Sequence, residues 1–310
     1  MTDRTATALL EALFASSPAF ERAAGFVDRS DRAAMRVRGG DRTRFLNAML
    51  TNDVDREAGV ACPVALLDRK GHVLAEGGAF VGPDAVVIES TPESPMREVL
   101  EKHVIADDVE IDPLDFGQLS IEGSGAVDAL REGGIAVPPP ERFVLVDGLI
   151  VAAGGWLGGE TGARLLGPRE ALGALVERLG IAEIPAESAE IARIVAGLGR
   201  YGVDLGPRNF PQEARLDAAL CFTKGCFVGQ EIVARIRSRG AVNRLLVRLE
   251  LGAASQADAP IALDGRKIGH VTSAAALPDG GFAALGYVGA EFAAAGTEVD
   301  VDGVGARVLG

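Results

Sequence analysis

The order of hydrophobic and polar positions predicts a chain that mixes helices with strands. An apolar stripe over residues 45–50 has helical spacing, and Asp41 stands where it could cap that helix. The polar residues 51–53 would end it. Residues 63–67 predict a strand, and a turn then leads into a second strand at 72–81, which together make a hairpin.

The same mixed α+β pattern continues as far as residue 242. Further helices are predicted at 92–104, 125–132, 169–179 and 187–197, and further strands at 84–89, 117–122, 143–146 and 149–153. Three consecutive prolines at 138–140 predict a loop or a semi-rigid spacer. They would divide this body into two halves that each contain strands and helices. Residues 1–24 mix charged and apolar side chains, which predicts an amphipathic helix rather than a signal peptide.

The pattern changes at Asn243. Short β-like runs alternate there with Gly, Asp and Pro turns, at 245–251, 268–273, 283–288 and 299–304. Such a pattern is typical of a small β-barrel or sandwich. We therefore expect a body over residues 1–242 and a separate C-terminal unit over 243–310.

Composition narrows the class of protein. The 310 residues carry a formal charge of −13, which argues against general nucleic-acid binding because phosphate contacts need a basic surface. No apolar run approaches the ~18–20 residues that cross a bilayer. Three cysteines without regular spacing predict no disulfide framework, and their scarcity fits a reducing, cytoplasmic location. The arginines between 235 and 248 predict either a local basic pocket or a solvated strand face.

The densest chemistry lies in residues 224–231, which read KGCFVGQE. Lys224 stands two residues from Cys226, and a nearby cation can lower the pKa of a thiol and favour the reactive thiolate. Gly225 and Gly229 would permit backbone conformations or close approaches that a side chain blocks. The structural alternative is a tight turn before a strand, with Cys226 as a small buried hydrophobe.

Other chemical sites receive less support from the sequence. Cys221 and Cys226 are separated by four residues rather than two, so zinc is disfavoured. A nucleophilic pair of Cys226 with His72, His103 or His270 stays open, since such partners need only meet in space. The glycine-rich run 154–162 lacks the Lys-Ser/Thr ending of a phosphate loop.

The run 224–231 resembles the signature of the YgfZ family. These proteins are folate-binding relatives of the glycine-cleavage T-protein, an aminomethyltransferase, and are associated with the maintenance of iron–sulfur enzymes. Weaker similarities follow the family's order along nearly the whole chain, at 40–54, 66–74, 193–197, 211–214 and 268–273. The resemblance implies a T-protein-like fold, which is a pseudo-symmetric α+β body with a central pocket and a small C-terminal β-barrel.

The resemblance also implies tetrahydrofolate or a derivative as cofactor, and iron–sulfur proteins or their assembly machinery as partners. Cys226 would be the functional thiol, and Lys224 would tune it. The arginines after the motif could bind the glutamate tail of folate, because Arg grips carboxylates in bidentate fashion. The expected pocket residues are Asn52, Asp53, Glu213, Gly225, Gly229, Gln230, Glu231 and Arg235.

Two positions depart from the T-protein pattern. Ala75 and Glu76 align with an Asp-Asp pair that assists chemistry at the folate nitrogen, and Arg164 aligns with a carboxylate that binds the pterin. Both departures weaken an aminomethyltransferase assignment. We therefore expect a folate-binding accessory protein. The alternatives are a folate-dependent one-carbon transferase acting on a small amine, with Glu76 as the polarising group, or a protein-interaction scaffold that binds no folate.

Overall fold

The computed structural model describes residues 6–17, 22–91, 94–157, 162–240 and 242–310. The α-helices are α1 Ala6–Ser16, α2 Arg42–Met49, α3 Met96–His103, α4 Ala126–Glu132, α5 Arg169–Leu179, α6 Ala186–Ala196 and α7 Gln230–Arg239. The predicted helix start at 92–93, parts of the predicted N-terminal helix and residues 158–161 of the glycine-rich run lie outside the described residues. Within the described ranges, no helix is long and apolar enough to cross a membrane.

The strands build two open sheets and a barrel. In the body they are β1 Gly25–Asp28, β2 Ala33–Arg38, β3 Val60–Leu67, β4 Val73–Val81, β5 Val86–Ser90, β6 Glu110–Leu114, β7 Phe116–Glu122, β8 Phe143–Val146, β9 Leu149–Ala153, β10 Ala163–Pro168 and β11 Ala182–Glu183. In the C-terminal unit they are β12 Arg244–Leu251, β13 Pro260–Leu263, β14 Arg266–Ala276, β15 Phe282–Gly289, β16 Glu298–Val301 and β17 Val304–Val308.

The first sheet has the antiparallel order β3-β4-β5-β2-β6. Helix α2 buries its apolar stripe, including Phe45 and Leu46, in the same core as Met35 and Ile88 of the sheet. Asp41 occupies the predicted cap position, but its carboxylate accepts a hydrogen bond from the Asp108 backbone N–H at 2.9 Å instead of capping α2.

The second sheet has the order β11-β1-β7-β10-β9-β8, and α4 and α5 pack in its core. Strands β1 and β7 precede the three prolines, whereas β8, β9 and β10 follow them. The pairing of β7 with β10, for example Leu119 opposite Leu165, joins both sides of the proline loop into one sheet. The expected division near 138–140 therefore does not separate the sheets, because strand pairing overrides the break in sequence.

The C-terminal strands close into a barrel in the order β12-β15-β14-β13-β16-β17, which begins at Arg244. Closure leaves its strands without a free edge. A buried ion pair of the body contacts the barrel. Arg193 of α6 contacts Asp204 at 2.7 Å. Asp204 in turn accepts a hydrogen bond from Ser273 of barrel strand β14, also at 2.7 Å. Both charged side chains are fully buried.

The arginines at 235, 237 and 239 lie on helix α7, so the expectation of a solvated strand face is wrong for them, whereas Arg244 and Arg248 lie on strand β12. Gly229, with φ of 81°, precedes the helix and Gly240, with φ of 68°, follows it. Apolar side chains at 232, 233 and 236 have helical spacing, and Val233 is fully buried. That spacing was the available signal for a helix.

Candidate functional site

Lys224 anchors the motif loop to the end of helix α2. Its ammonium donates to the backbone carbonyls of Asn47 at 2.8 Å, Leu50 at 2.5 Å and Asn52 at 2.8 Å. These carbonyls lie at the helix C-terminus, where acceptors lack intrahelical partners and a cation is favoured. Burial lowers the pKa of Lys224 to about 8, and the negative charges of Asp53, Cys221 and Cys62 oppose this shift. The ammonium that we expected to tune Cys226 is thus committed to holding the loop.

Cys226 stands exposed on this loop. Its neighbour Gly225 is also exposed, whereas Phe227 is buried in a cluster with Leu67 and Val73. The structural alternative of a buried, space-filling cysteine is therefore wrong. Cys226 does not line the cavity of about 680 Å³ beside this loop.

The two motif glycines behave differently. A Cβ on Gly229 would lie 2.6 Å from the Asp68 carbonyl oxygen, and its positive φ disfavours any side chain. A Cβ on Gly225 would meet nothing within 4 Å, and its φ is not positive. The expected backbone constraint holds at Gly229 and is wrong at Gly225, where the surrounding space is open.

The histidines have other partners. His72 hydrogen-bonds to Asp68 at 3.1 Å and stacks on Phe210, and His103 contacts the Val99 carbonyl at 2.7 Å. Among the described residues, none of the three histidines hydrogen-bonds to Cys226. The geometry therefore gives no support to a Cys–His nucleophile.

A cavity of about 680 Å³ lies beside the motif loop. Its lining includes Asn52, Gln212, Arg215, Cys221, Phe222 and Arg237. Asn52 is the one expected pocket residue on this wall. Its amide also donates to the carbonyls of Pro63 at 2.8 Å and Ala218 at 3.1 Å, which fixes the end of α2 against the cavity.

The wall combines an unpaired acceptor with cations and an aromatic ring. Gln212 donates to the Val233 carbonyl at 2.9 Å, but its own Oε1 is buried without a hydrogen-bond partner among the described residues. The Arg237 guanidinium lies 4.3 Å from the centre of the Phe222 ring. Part of the predicted basic pocket exists here, through Arg237 rather than Arg235.

Cys221 is the thiol on this wall, and sequence reasoning missed it. Its Sγ lies 3.4 Å from the Thr223 hydroxyl. Burial raises the pKa of Cys221, but hydrogen bonds from Thr223 and from the Lys224 backbone N–H outweigh burial and lower the pKa. Cys62 differs, since burial raises the pKa of its thiol to about 11. The sequence offered no signal for Cys221, because the cavity forms only when loop and helix meet.

The remaining expected residues do not converge on this cavity. Asp53 accepts a hydrogen bond from Asn47 at 3.2 Å, and buried Glu213 contacts Arg244 at 3.3 Å. Glu231 and Arg235 form an exposed pair on α7 at 3.6 Å. Gln230 begins α7 beside Gly229.

Glu76 and Arg164 lie between the two sheets and do not line the cavity beside the motif loop. Arg32 contacts Glu76 at 3.3 Å and is also paired with buried Glu89. Burial raises the pKa of Glu89, but Arg32, Arg29 and Arg164 outweigh burial and lower the pKa. The hollow that Glu89 and Arg164 line measures only about 10 Å³.

Comparison with known proteins identifies relatives of this chain. Residues 244–309 match the family model of the glycine-cleavage T-protein C-terminal barrel domain. The chain is 30% identical to the tRNA-modifying protein YgfZ of Yersinia pestis over 277 residues, which cover 82% of this chain and 81% of the relative. It is also 30% identical to an aminomethyltransferase of Rubrobacter xylanophilus, over 86% of this chain and 76% of that protein. The chain belongs to the YgfZ and T-protein family.

The fold of the YgfZ and T-protein family extends over nearly the whole molecule. The aminomethyltransferase T structure from Bartonella henselae superposes with a TM-score of 0.84 at 22% identity, covering 93% of this chain and 85% of that one. The predicted T-protein-like α+β body with a C-terminal barrel is confirmed, as is the family inferred from the resemblance.

Proposed function

We propose that this protein is a tetrahydrofolate-binding accessory protein that supports the assembly or repair of iron–sulfur proteins in the cytoplasm. Cys226 is the functional thiol in this proposal. The observation that carries it is the exposure of Cys226 on a loop that Lys224 fastens to helix α2 through three hydrogen bonds. A fastened loop presents the sulfur to a partner without an ordering cost at the moment of binding.

The open space at Gly225 supports a protein partner. Nothing lies within 4 Å of the position its Cβ would take, so a partner's backbone could approach the loop beside the thiol. An iron–sulfur protein or its assembly machinery is the proposed partner, with Cys226 contributing the thiolate that such chemistry requires.

Folate fits the cavity beside Cys221 better than the space between the sheets. The cavity volume of about 680 Å³ falls within the usual range of about 300–1,000 Å³ for small-molecule sites, whereas the hollow at Arg164 is far smaller. The orphaned Oε1 of Gln212 would accept a hydrogen bond from the pterin amino group, and Arg215 and Arg237 would bind the glutamate carboxylates. Bound folate would supply a carrier for a one-carbon unit.

An aminomethyltransferase activity receives less support, although relatives bear that name. Glu76 would have to act on the folate nitrogen, yet its carboxylate is paired with Arg32, and Arg32 also pairs with Glu89. Arg164 stands near Glu89 instead of supplying a carboxylate to a pterin. Formation of methylene-tetrahydrofolate from amine donors, abolished by Glu76→Gln, would favour the transferase over our proposal.

Calorimetric titration with tetrahydrofolate tests the folate part. We expect saturable binding that weakens about tenfold in Arg237→Met, because a charge-assisted contact to the glutamate tail is lost. Arg235→Met is the matched control, since Arg235 lies on the same helix and is paired with Glu231 outside the cavity. Absence of binding at millimolar folate would leave only the scaffold, and equal weakening by both variants would contradict the assignment of the cavity.

A further inference from the structure

A second cavity, of about 590 Å³, lies between the barrel and the loop that follows α6. Its walls come from residues 202–209 and from strands β12, β14 and β15. Apart from the loop backbone, its chemistry resides in Arg208, Arg244, Asp258, Lys267, His270 and Tyr287. None of these residues lines the cavity beside Cys221, so the two sites are distinct.

The charges around this cavity leave a positive surplus. Asp204 is already neutralised by Arg193 at 2.7 Å and accepts hydrogen bonds from Thr272 and Ser273. Arg244 is offset by Glu213 at 3.3 Å. Arg208 and Lys267 are the two cations of the wall whose charge these pairs do not offset.

Arg208 and Lys267 are exposed and have no carboxylate partner among the described residues. The remaining carboxylate of the wall is Asp258, which is also exposed. Two cations therefore face one anion, so an anionic ligand would improve the balance of charge.

Tyr287 supplies an independent sign of a missing partner. Only 2% of the residue is exposed, and its hydroxyl has no hydrogen-bond partner of normal geometry within the described chain; the Asn209 side chain makes only a weak hydrogen bond to it. Burial raises the pKa of this phenol, so the hydroxyl stays protonated as a donor. A buried donor without an acceptor costs free energy that a bound oxyanion would recover.

The ring of Tyr287 is held rigidly. The Arg244 guanidinium lies 4.9 Å from the ring centre, and the His270 ring stacks on it at 6.0 Å. Burial and the nearby Arg244 lower the pKa of His270, so the imidazole is neutral at physiological pH and offers a hydrogen bond without charge. The wall therefore presents ordered polar groups next to two unpaired cations.

We propose that this cavity is a binding site for a small organic anion, held by Arg208, Lys267 and Tyr287. Phosphate monoesters and dicarboxylates share this chemistry. The site goes beyond the proposed folate function, because none of its residues takes part in the folate cavity or the Cys226 loop.

Calorimetric titrations at constant ionic strength distinguish the two sources, with glycerol phosphate and succinate as probes and potassium chloride as the balancing salt. We expect saturable binding of one probe, which identifies the class. Lys267→Met should weaken it about tenfold, and Tyr287→Phe should weaken it by a similar factor because only the hydroxyl is removed.

Lys102→Met is the matched control, since Lys102 pairs with Glu98 on helix α3 and lies outside the cavity. Its affinity for the probe should equal that of the unaltered protein. Failure of both probes to bind saturably, or equal loss in Lys267→Met and Lys102→Met, would overturn the proposal. Neither result would bear on folate binding, which Arg237→Met tests separately.

Discussion

At the scale of single residues, the three cysteines occupy three different environments. Cys226 is exposed, Cys221 lines a cavity beside a hydroxyl, and Cys62 is buried in the core of the first sheet. The reactivity of a thiol follows its thiolate fraction and its accessibility. The three thiols should therefore differ in reactivity, although only Cys226 lies in the motif that the sequence analysis identified.

Alkylation by iodoacetamide, followed site by site by mass spectrometry, should resolve these environments. Cys221 should react with a pH midpoint below that of an ordinary thiol, since hydrogen bonds to its sulfur outweigh burial and lower its pKa. Its reactivity should fall as pH drops through that midpoint. Cys62, with a pKa raised to about 11 by burial, should react only after unfolding.

Thr223→Val provides the control for Cys221. It removes the hydroxyl that lies 3.4 Å from the sulfur while keeping the side chain's shape. The midpoint of Cys221 should rise in this variant, and an unchanged profile would show that the hydroxyl does not stabilise the thiolate.

At the scale of elements, the motif joins two helices. Lys224 caps the end of α2, and Gly229, the residue before α7, lies against the β3–β4 hairpin turn. The sequence predicted the helices at 169–179 and 187–197 and three of the barrel strands closely, because their apolar periodicity is strong. The predicted run 299–304 instead spans the turn between β16 and β17, and the short strand β13 was missed. The sequence also missed α7, because glycines and arginines around 225–240 masked the helical spacing of 232, 233 and 236.

Alanine substitutions at Gly229 and Gly225 should differ in their effect on stability. Gly229→Ala should lower the free energy of unfolding by about 1–3 kcal/mol, because a positive φ and a 2.6 Å contact with the Asp68 carbonyl both oppose a Cβ. Gly225→Ala should leave stability unchanged. Urea denaturation measures both, and equal stabilities would contradict the backbone assignment.

Lys224→Met should destabilise the protein without altering its fold. Three carbonyl oxygens at the end of α2 would lose their donor, at an expected cost of about 1–3 kcal/mol in the free energy of unfolding. Lys102→Met, which breaks an exposed pair with Glu98, is the control in the same denaturation series. Comparable small losses in both variants would mean that Lys224 does not anchor the loop.

At the scale of the whole molecule, the sites arise where distant segments meet. The fold class and the barrel followed from pattern and resemblance, but the cavity beside Cys221 brings Asn52, Gln212 and Arg237 together from three separate stretches. No local sequence pattern predicts that these three stretches form a cavity. The same holds for the ion pair of Arg193 with Asp204, which lies between body and barrel.

Asp204→Ala should weaken the attachment of the barrel. It removes the acceptor of Thr272 and Ser273 and one of the two carboxylate partners of buried Arg193, which keeps Glu190, so we expect a loss of about 1–3 kcal/mol. Asp128→Ala, which breaks an exposed pair with Arg131, should have no measurable effect on thermal unfolding. Equal melting temperatures for the two variants would contradict the structural role of Asp204.

The central claim is that the exposed thiol at position 226 performs the function of the protein. The most direct measurement is the activity of iron–sulfur enzymes in cells whose own copy of the gene is replaced by Cys226→Ser or by Cys62→Ser as the thiol control, since Cys62 is buried in the first-sheet core outside the motif loop and the folate cavity. We predict that Cys226→Ser accumulates as a folded protein yet fails to restore those activities, while Cys62→Ser, whose hydroxyl can keep the hydrogen bond to the Asp53 carbonyl, restores them. Full restoration by Cys226→Ser would contradict the account.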